Sequence, residues 1–291
     1  MASARIPPLL EPYLRLPPEA ALVVLTSVLG CSANWLVLRW AYGLLSGRQQ
    51  SGRQQKGQAA DDGEGDGDAA VVLCSFLQDG AFWREGLSSL VGLFVCLFGC
   101  SGLDLDNLQA AKRFSFVDGL TGLYAPDPDP EPATGAGRHH VLLSSTVDHV
   151  ARTLEAAIAE VSGGGRRVVL VMDHMDAWLA TADESASDMA AMLAALRERV
   201  HAAVVTVAAD EALVQAQNTT LEKEHAALVL SLAHEAHLVV GLRRLDTGTS
   251  GDVSGVVRMT GGGRRAGRLE DAEYLYRFSG DGGVKVFERG A

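Results

Sequence analysis

The sequence is poor in cysteine, and its cysteines form no motif. There are four in 291 residues, Cys31, Cys74, Cys96 and Cys100, and no two are spaced as C-x-x-C. That spacing is typical of thiol redox centres and many zinc sites, so neither is expected. Because three of the four lie in strongly apolar stretches, we expect free thiols buried in a core, in a reducing compartment.

The sequence also lacks an excess of basic residues. Lys and Arg number 25 against 36 for Asp and Glu, which gives a formal net charge of −11. Autonomous, tight binding of nucleic acid uses a basic surface that releases counterions, so the composition argues against that class, and no DNA partner is expected. Two acidic loops contain part of the negative excess, so a local basic patch that contacts RNA is compatible with it.

Neither a secretory signal nor a membrane span is expected from the sequence. The first residues, MASARIPPLLEPYL, contain no basic region followed by an apolar one. The uncharged segment Gly86–Leu103 has a dense apolar centre, Leu90–Cys100, which is shorter than the roughly 20 residues that a membrane helix needs. We expect a buried core element there and no membrane partner; an insertion in the gene model at about 90–102 is a further alternative. The expected location is the cytoplasm, with the nucleus also open.

The sequence does contain apolar strands that alternate with amphipathic helices. Strands are predicted at Leu22–Ser27, Ala70–Phe76, Arg113–Asp118, Arg167–Asp173, Ala202–Ala208 and His237–Leu242. Helices are predicted around Ser32–Leu45, from Ala81 onward, and at Ser144–Val161, Glu184–Val200 and Leu221–Ala233. Three short β pieces follow: Ser254–Thr260, Tyr274–Phe278 and Val284–Phe287. This pattern predicts an α/β, RecA-like fold: a mostly parallel sheet covered by helices on both faces, with antiparallel additions at the C-terminal edge.

Two segments contain too few apolar residues to join this core. The first, at about 46–69, contains SGRQQ-SGRQQ and DDGEGDGD, and the second, at about 124–140, is rich in Pro and Asp. Both are predicted to be disordered or low-complexity inserts in a single domain of residues 1–291. The acidic run lacks the glutamate that completes a calcium loop, and His234 and His237 are too close for a zinc-binding helix motif. No metal site is expected.

The segment after the first strand decides which chemistry is available. A P-loop reads G-x-x-x-x-G-K-[ST], in which backbone N–H groups and the lysine hold phosphates and the hydroxyl binds Mg²⁺. This chain has Ser27-Val-Leu-Gly-Cys-Ser-Ala-Asn34, with one glycine and no lysine. Asp173 ends the strand RVVLVMD, as the acid of a Walker B strand does. We interpret Gly30, Ser32 and Asp173 as remnants of a nucleotide site, with Asp173 a structural acid rather than a metal ligand, and expect no cofactor.

Two glycine- and arginine-rich segments are the candidate RNA contacts. Their arginines are Arg166 and Arg167, after three glycines, and Arg264, Arg265 and Arg268, in GGGRRAGR. Guanidinium groups on such loops can pair bidentately with phosphate. Solvated turns without a ligand are the alternative interpretation.

Several ordered blocks resemble the family of Elongator complex protein six. The stretch LVLSLAHEAHLVVGLRRLDTGTSGDVSGVVRMTGGG is similar to the C-terminal signature of that family. The signature positions here are Leu245, Thr247, Gly248, Asp252, Val253 and Gly255. The blocks LVVLTSVLGCSANWLV, RFSFVDGLTGLY, RVVLVMDHMDAWLA and YLYRFSGDGGVKVFERG also agree. The likeness covers most of the chain from about Leu9, apart from the two inserts and the segment around Leu93–Ser101.

The resemblance implies a RecA-like subunit without a complete phosphate loop. It implies a hexameric ring with Elongator subunits four and five, which docks on the catalytic subassembly, binds tRNA and serves modification of the wobble uridine at carbon 5. This chain would then be a non-catalytic scaffold and not an enzyme. The alternative is a RecA/KaiC-like ATPase with an atypical phosphate loop at Gly30–Asn34.

Overall fold

The computed structural model describes residues 6–51, 69–89, 103–125, 140–245, 252–262, 270–280 and 283–289, with backbone alone at 47–51. The strands are β1 Ala21–Ser27, β2 Ala69–Ser75, β3 Phe114–Asp118, β4 His140–Val141, β5 Arg167–Asp173, β6 Ala202–Ala208, β7 Leu238–Arg243, β8 Gly255–Gly261, β9 Ala272–Phe278 and β10 Val284–Glu288. The helices are α1 Glu11–Leu14, α2 Asn34–Ser51, α3 Gly80–Ser89, α4 Leu105–Ala110, α5 Thr121–Tyr124, α6 Val147–Val161, α7 Met175–Thr181, α8 Ala186–Arg197, α9 Glu211–Val214 and α10 Thr220–Glu235.

The strands form one sheet in the order β10-β9-β8-β7-β1-β6-β5-β2-β3-β4. Every pairing from β7 across to β4 is parallel, and β8, β9 and β10 are added antiparallel beside β7. A parallel sheet with antiparallel strands at its C-terminal edge confirms the predicted fold class.

Helices cover both faces of the sheet, because alternate residues of each central strand point to opposite sides. Leu22 and Val24 of β1 belong to a core cluster with α6, α7, α8 and α10, whereas Val23 and Leu25 pack with α2, α3 and the N-terminal turns. Strand β2 is buried along its whole length. Such burial on both faces explains why these strands read as uninterrupted apolar runs.

The two predicted inserts begin and end differently from the prediction. Helix α2 continues through 46–51, so the first insert is shorter than predicted, because Arg and Gln are good helix formers even without apolar partners. Ala69 already belongs to β2, Tyr124 ends α5, and His140 begins β4. The remainders, 52–68 and 126–139, lie outside the described residues.

The apolar segment Gly86–Leu103 is described only at its two ends. Residues 86–89 complete α3, Leu103 is buried, and 90–102 lie outside the described residues. Within the described ranges, no helix is both long and apolar enough to cross a membrane. Cys31 and Cys74 are free and buried, as predicted, while Cys96 and Cys100 fall in the part that is not described.

The parallel strands define two edges of the sheet. The carboxyl edge is where β1, β2, β3, β5 and β6 end, and the amino edge is where they begin. Ligands of open parallel α/β sheets bind at the carboxyl edge, so the candidate nucleotide site belongs there.

Candidate functional site

The loop that joins β1 to α2 lies at the position of a phosphate loop, but three of its backbone donors are engaged within the chain. The Leu29 N–H donates to Oδ1 of Asp210 at 2.9 Å, and the Cys31 N–H donates to a carbonyl of the same loop at 2.8 Å. The N–H of Asn34, the first residue of α2, donates to Oγ of the exposed Ser32 at 3.1 Å. A phosphate cradle requires such N–H groups to converge on the ligand.

Gly30 turns this loop with a φ of 87°, in the left-handed region that favours glycine. A Cβ atom at this position would collide with the guanidinium group of Arg244, which follows β7. The one glycine of the loop therefore serves a tight turn that the chain's own arginine covers.

Aligned on the P-loop pattern, Ser27–Asn34 has Ala33 at the position of the lysine and Asn34, the first residue of helix α2, at the position of the hydroxyl residue. Trp35 is 7% exposed, and its ring lies 5.2 Å from the ring of Tyr276 and 6.2 Å from that of Phe278. The guanidinium carbon of Arg39 lies 5.7 Å from the Trp35 ring centroid. The Ala33 side chain supplies no charge for phosphates, and Trp35, whose indole has no oxygen atom, serves as an aromatic core contact.

The carboxylate of Asp173 is fully buried at the end of β5 and is bonded on both oxygens. Ser75 Oγ, at the end of β2, donates to Oδ2 at 2.9 Å, and Thr206 Oγ1, in β6, donates to Oδ1 at 2.8 Å. The two hydroxyl groups in turn accept the N–H groups of Gln78 at 3.0 Å and His174 at 2.7 Å. The acid thus joins three adjacent strands through a closed hydrogen-bond network.

Burial raises the pKa of Asp173 above its ordinary value. The neighbouring His174 and the two hydroxyl donors oppose this rise but do not cancel it. Burial also raises the pKa of the Cys74 thiol, which keeps that side chain neutral. Both effects follow from the cost of placing charge in a dry interior.

Acidic residues occupy the carboxyl edge around this network. The strand ends and connections after β1, β2, β3, β5 and β6 contain no Lys or Arg and four acids: Asp79, Asp118, Asp173 and Asp210. Asp79 Oδ1 accepts the Phe82 N–H at 2.8 Å, and Asp118 Oδ1 accepts the Thr121 N–H at 2.8 Å. Side-chain carboxylates therefore take helix-terminal donors that an anionic ligand would otherwise use.

The described signature residues pack beside the β1–α2 loop. Gly255 is buried at the start of β8, where a Cβ atom would lie 2.6 Å from the Tyr276 hydroxyl oxygen. The neighbouring Ser254 carbonyl oxygen lies 4.0 Å from Cys31 Sγ in the loop, and Asp252 forms a 3.2 Å ion pair with Arg277. The other signature positions divide as follows: Leu245 and Val253 are half-buried, while Thr247 and Gly248 lie outside the described residues.

Of the candidate RNA contacts, the described Arg166 and Arg167 lie at the opposite, amino edge of the sheet. Arg166 donates to the Lys112 carbonyl oxygen at 3.2 Å, and Arg167 is the first residue of β5. Arg264, Arg265 and Arg268 lie outside the described residues, but the segment that contains them starts after Gly262, also at the amino edge. From the strand order, β5 and β8 are separated by four strand spacings, or about 19 Å.

The paired histidines do not form a metal site. His234 is exposed in the last turn of α10, and His237 lies after the helix, immediately before β7. Across the described residues, no cluster of three or more His, Cys, Asp or Glu side chains could hold a metal ion.

Several residues that build the loop site were not predicted from the sequence. They are Ser75, Thr206, Asp210, Arg244 and Tyr276. Each meets the loop after β1, the start of α2 or Asp173 through a contact between segments distant in the chain, for example 181 positions for Leu29 and Asp210. Only the placement of Ser75 at the end of a parallel strand was a usable signal, because such ends share one edge.

Comparison with known proteins finds solved structures of similar fold but no relative by sequence. No protein-family model matches the chain, and no curated protein matches its sequence. It is similar in structure to the flagellar accessory protein FlaH of Methanocaldococcus jannaschii, with a TM-score of 0.55, 10% identity, and coverage of 96% of this chain and 95% of that one. It is also similar to an uncharacterized protein of Pyrococcus horikoshii solved with an unknown peptide, with a TM-score of 0.53, 13% identity and 100% coverage of both chains. The fold is RecA-like.

Proposed function

We propose that this chain is the non-catalytic RecA-like subunit of an Elongator complex. It assembles with subunits four and five into a hexameric ring that docks on the catalytic subassembly, binds tRNA and supports modification of the wobble uridine at carbon 5. Three features support the proposal: the RecA-like fold, the ordered sequence blocks that resemble the family, and the loop after β1.

The observation that carries the proposal is the chemistry of that loop. Its first helical residues are Asn34 and Trp35, its Leu29 N–H bonds to Asp210, and Arg244 covers its glycine. ATP hydrolysis needs a cradle for the β/γ-phosphates and a hydroxyl group for Mg²⁺. A chain that keeps the sheet and lacks both is suited to forming interfaces, so the ring chemistry is assigned to another subunit.

The C-terminal signature residues, which lie beside the loop after β1, support the same role. Gly255 and Tyr276 lie against each other, and Tyr276 packs on Trp35. The residues that carry the family resemblance thus help to hold the loop in a form without a phosphate cradle.

Contact with tRNA is assigned to the two arginine segments at the amino edge. Arg166 and Arg167 enter β5, and the segment with Arg264, Arg265 and Arg268 leaves β8 on the same edge. Phosphate contacts of this kind set affinity and its salt dependence without reading sequence.

Co-expression with Elongator subunits four and five, followed by size-exclusion chromatography, tests the proposal. We expect one peak that contains the three chains in equal amounts. A chain that elutes alone and folded in the presence of both partners would contradict the ring role.

The alternative function is a RecA/KaiC-like ATPase, which the fold of the structural neighbours favours. Purified protein would then hydrolyse ATP, and Asp173→Ala would abolish turnover. The proposed role predicts no turnover above the buffer background for either protein.

A further inference from the structure

One side of the antiparallel extension lies outside the helix-covered core. Val239 of β7 packs on the side of the sheet that α10 covers, so its cross-strand partner Thr260 lies on that side too. Apart from Val239, no described residue of β7–β10 belongs to the core cluster beneath α6, α7, α8 and α10. Because side chains alternate along a strand, the register assigns every second residue of β8, β9 and β10 to this side, which we call the open face. Its residues are Val256, Arg258, Thr260, Glu273, Leu275, Arg277, Lys285 and Phe287.

The open face has an apolar row between two charged rows. The middle row joins Val256 to Leu275 and Leu275 to Phe287. Val256 is buried, so the half-buried Leu275 and Phe287 provide the accessible apolar surface. The charged rows lie two residues, or about 7 Å, on either side of the middle row. They are Arg258 with Glu273, and Arg277 with Lys285.

The one acid within the open face is shared by two arginines that border it. Arg243 Nη2 lies 3.0 Å from Glu273 Oε2, and Arg289 Nη1 lies 3.3 Å from Glu273 Oε1. Arg258 is exposed in the same row and has no acidic partner among the described residues. This row therefore keeps an excess of positive charge.

The other charged row is basic in both of its strands. Arg277 forms an exposed 3.2 Å ion pair with Asp252, which lies at the margin of the face. Lys285 is exposed on the edge strand β10, and no described acid pairs with it. Exposed ion pairs are weak, so both side chains remain accessible to a partner.

Counted with its margins, the open face has a net positive charge. It contains five basic and three acidic described side chains: Arg243, Arg258, Arg277, Lys285 and Arg289, with Asp252, Asp271 and Glu273. Glu270 and Glu288 are not among them, because they lie with Tyr13 and Tyr274 on the other side of the extension. In a chain of net charge −11, a face with this excess attracts an anionic partner.

The spacing of the rows fits an amphipathic helix with acidic flanks. The two charged rows lie four residues apart along a strand, or about 14 Å, and a helix with its side chains is about 10–12 Å across. A helix over the middle row therefore has basic side chains on both sides. From β8 to β10 this row extends over two strand spacings, or about 10 Å, the length of about two helical turns.

A single strand of nucleic acid fits the open face less well. Phe287 is the one aromatic side chain among the described residues of the face, so successive bases have no series of stacking surfaces. Basic side chains also flank the apolar row on both sides, as acids flank the apolar stripe of an amphipathic helix.

We propose that the open face binds an acidic, amphipathic helix of a partner protein. Apolar side chains of this helix contact Leu275 and Phe287, and its carboxylates pair with Arg258 on one side and Lys285 on the other. The bound helix covers the extension as the chain's own helices cover the parallel strands. The site does not depend on the proposed ring role, and it uses none of the arginines assigned to tRNA.

Fluorescence anisotropy with a labelled peptide of about fourteen residues, or four helical turns, tests the site on the full chain. The peptide has Leu along one helical face and Glu on both flanks. We expect saturable binding that weakens roughly tenfold in Arg258→Glu and in Lys285→Glu, because each change replaces an attraction with a repulsion. Arg152→Glu is the matched control, since Arg152 is exposed on α6, away from the extension.

Two further measurements keep the test independent of any one variant. Thermal melts show whether each variant is folded. A second peptide, with Gln in place of every Glu, should bind wild-type protein at least roughly tenfold more weakly, because it has no carboxylates for the two basic rows.

Four outcomes would overturn the site. The first is no saturable binding of the acidic peptide, or an equal loss in Lys285→Glu and Arg152→Glu. The second is equal binding of a peptide with the same composition and no helical period. The third is tighter, Lys285-dependent binding of a labelled oligouridylate of equal charge, which would show a nucleic-acid surface. The fourth is Lys285-dependent dimerisation of the chain alone in sedimentation equilibrium, which would show that a second copy is the occupant.

Discussion

Replacing Asp173 with Ala removes the acceptor that joins three strands, so the variant should lose stability. Ser75 and Thr206 would each keep a buried hydroxyl whose acceptor is gone, since Ser75 and Thr206 are both fully buried. An unsatisfied buried donor costs about 1–3 kcal/mol. Burial raises the pKa of Asp173, so the carboxylate is costly to bury. Removing it also removes this desolvation cost, which offsets part of the loss. We expect a net loss of about 2–4 kcal/mol in the free energy of unfolding.

Urea unfolding followed by tryptophan fluorescence measures this loss. Trp178 is buried and stacks on Phe76 at 5.2 Å, next to the strand end that holds Ser75, so its signal reports the unfolding of this core. The midpoint should fall while the slope with denaturant stays constant. Asp183→Ala is the control, because this acid is exposed between α7 and α8; it should stay within about 0.5 kcal/mol of wild type.

A double-mutant cycle separates the network from general damage at the site. Ser75→Ala should cost less in the Asp173→Ala background than alone, because its hydrogen-bond partner is already gone. The reasoning is refuted if Asp173→Ala is as stable as wild type, or if the two substitutions add without interaction. Asp173 would then be available for a role other than stabilising the fold.

Three further predictions concern the same site. Gly30→Ala should cost about 1–2 kcal/mol in thermal melts, since φ is 87° there; an unchanged melting temperature would contradict the assigned turn. Gly255→Ala should cost about 1–3 kcal/mol, because the new methyl group meets the Tyr276 hydroxyl at 2.6 Å, and the loss should shrink in a Tyr276→Phe background. For Asp173→Asn, stability is compared with wild type between about pH 4 and 8. The pKa of Asp173 is higher in the folded than in the unfolded chain, so its contribution is full below the unfolded value of about 3.9 and is lost as pH rises through the folded value. The difference, wild type minus variant, should therefore fall with rising pH; a rise would show that the folded carboxyl is the stronger acid.

Most of the fold could be predicted because the apolar composition of the central strands indicates that they are buried. Strand β5 was predicted with its observed bounds, and β6 likewise, since strands buried on both faces are apolar throughout. Short helices could not be found in this way. Helices α5 and α9 have four residues each, which is too few to show a helical period.

The end of α2 shows where composition misleads. The polar SGRQQ repeat was interpreted as disordered because it has nothing to bury, yet Ser46–Ser51 continue the helix. Low hydrophobicity marks the absence of a core face, whereas helix propensity decides how far an existing helix runs.

The sequence predicts which nucleotide-binding residues the candidate site lacks, but it does not predict the contacts within the site. The missing lysine after Ser27 can be read from the chain directly, and so can the acid at Asp173. The contact of Arg244 with Gly30 and the bond of Asp210 to Leu29 join segments that no local pattern links. They follow from the order β7-β1-β6, which places the ends of β7 and β6 on either side of the loop after β1.

The most direct test of the ring role is native mass spectrometry of the chain co-expressed with Elongator subunits four and five. The proposed function predicts a six-chain assembly with two copies of each subunit, which the chain joins without ATP in the buffer. The chain in this experiment keeps its own Asn34 and Trp35 and has no lysine in the loop after β1. The assembly should nevertheless persist. Spectra in which this chain stays monomeric while its partners assemble without it would contradict the account.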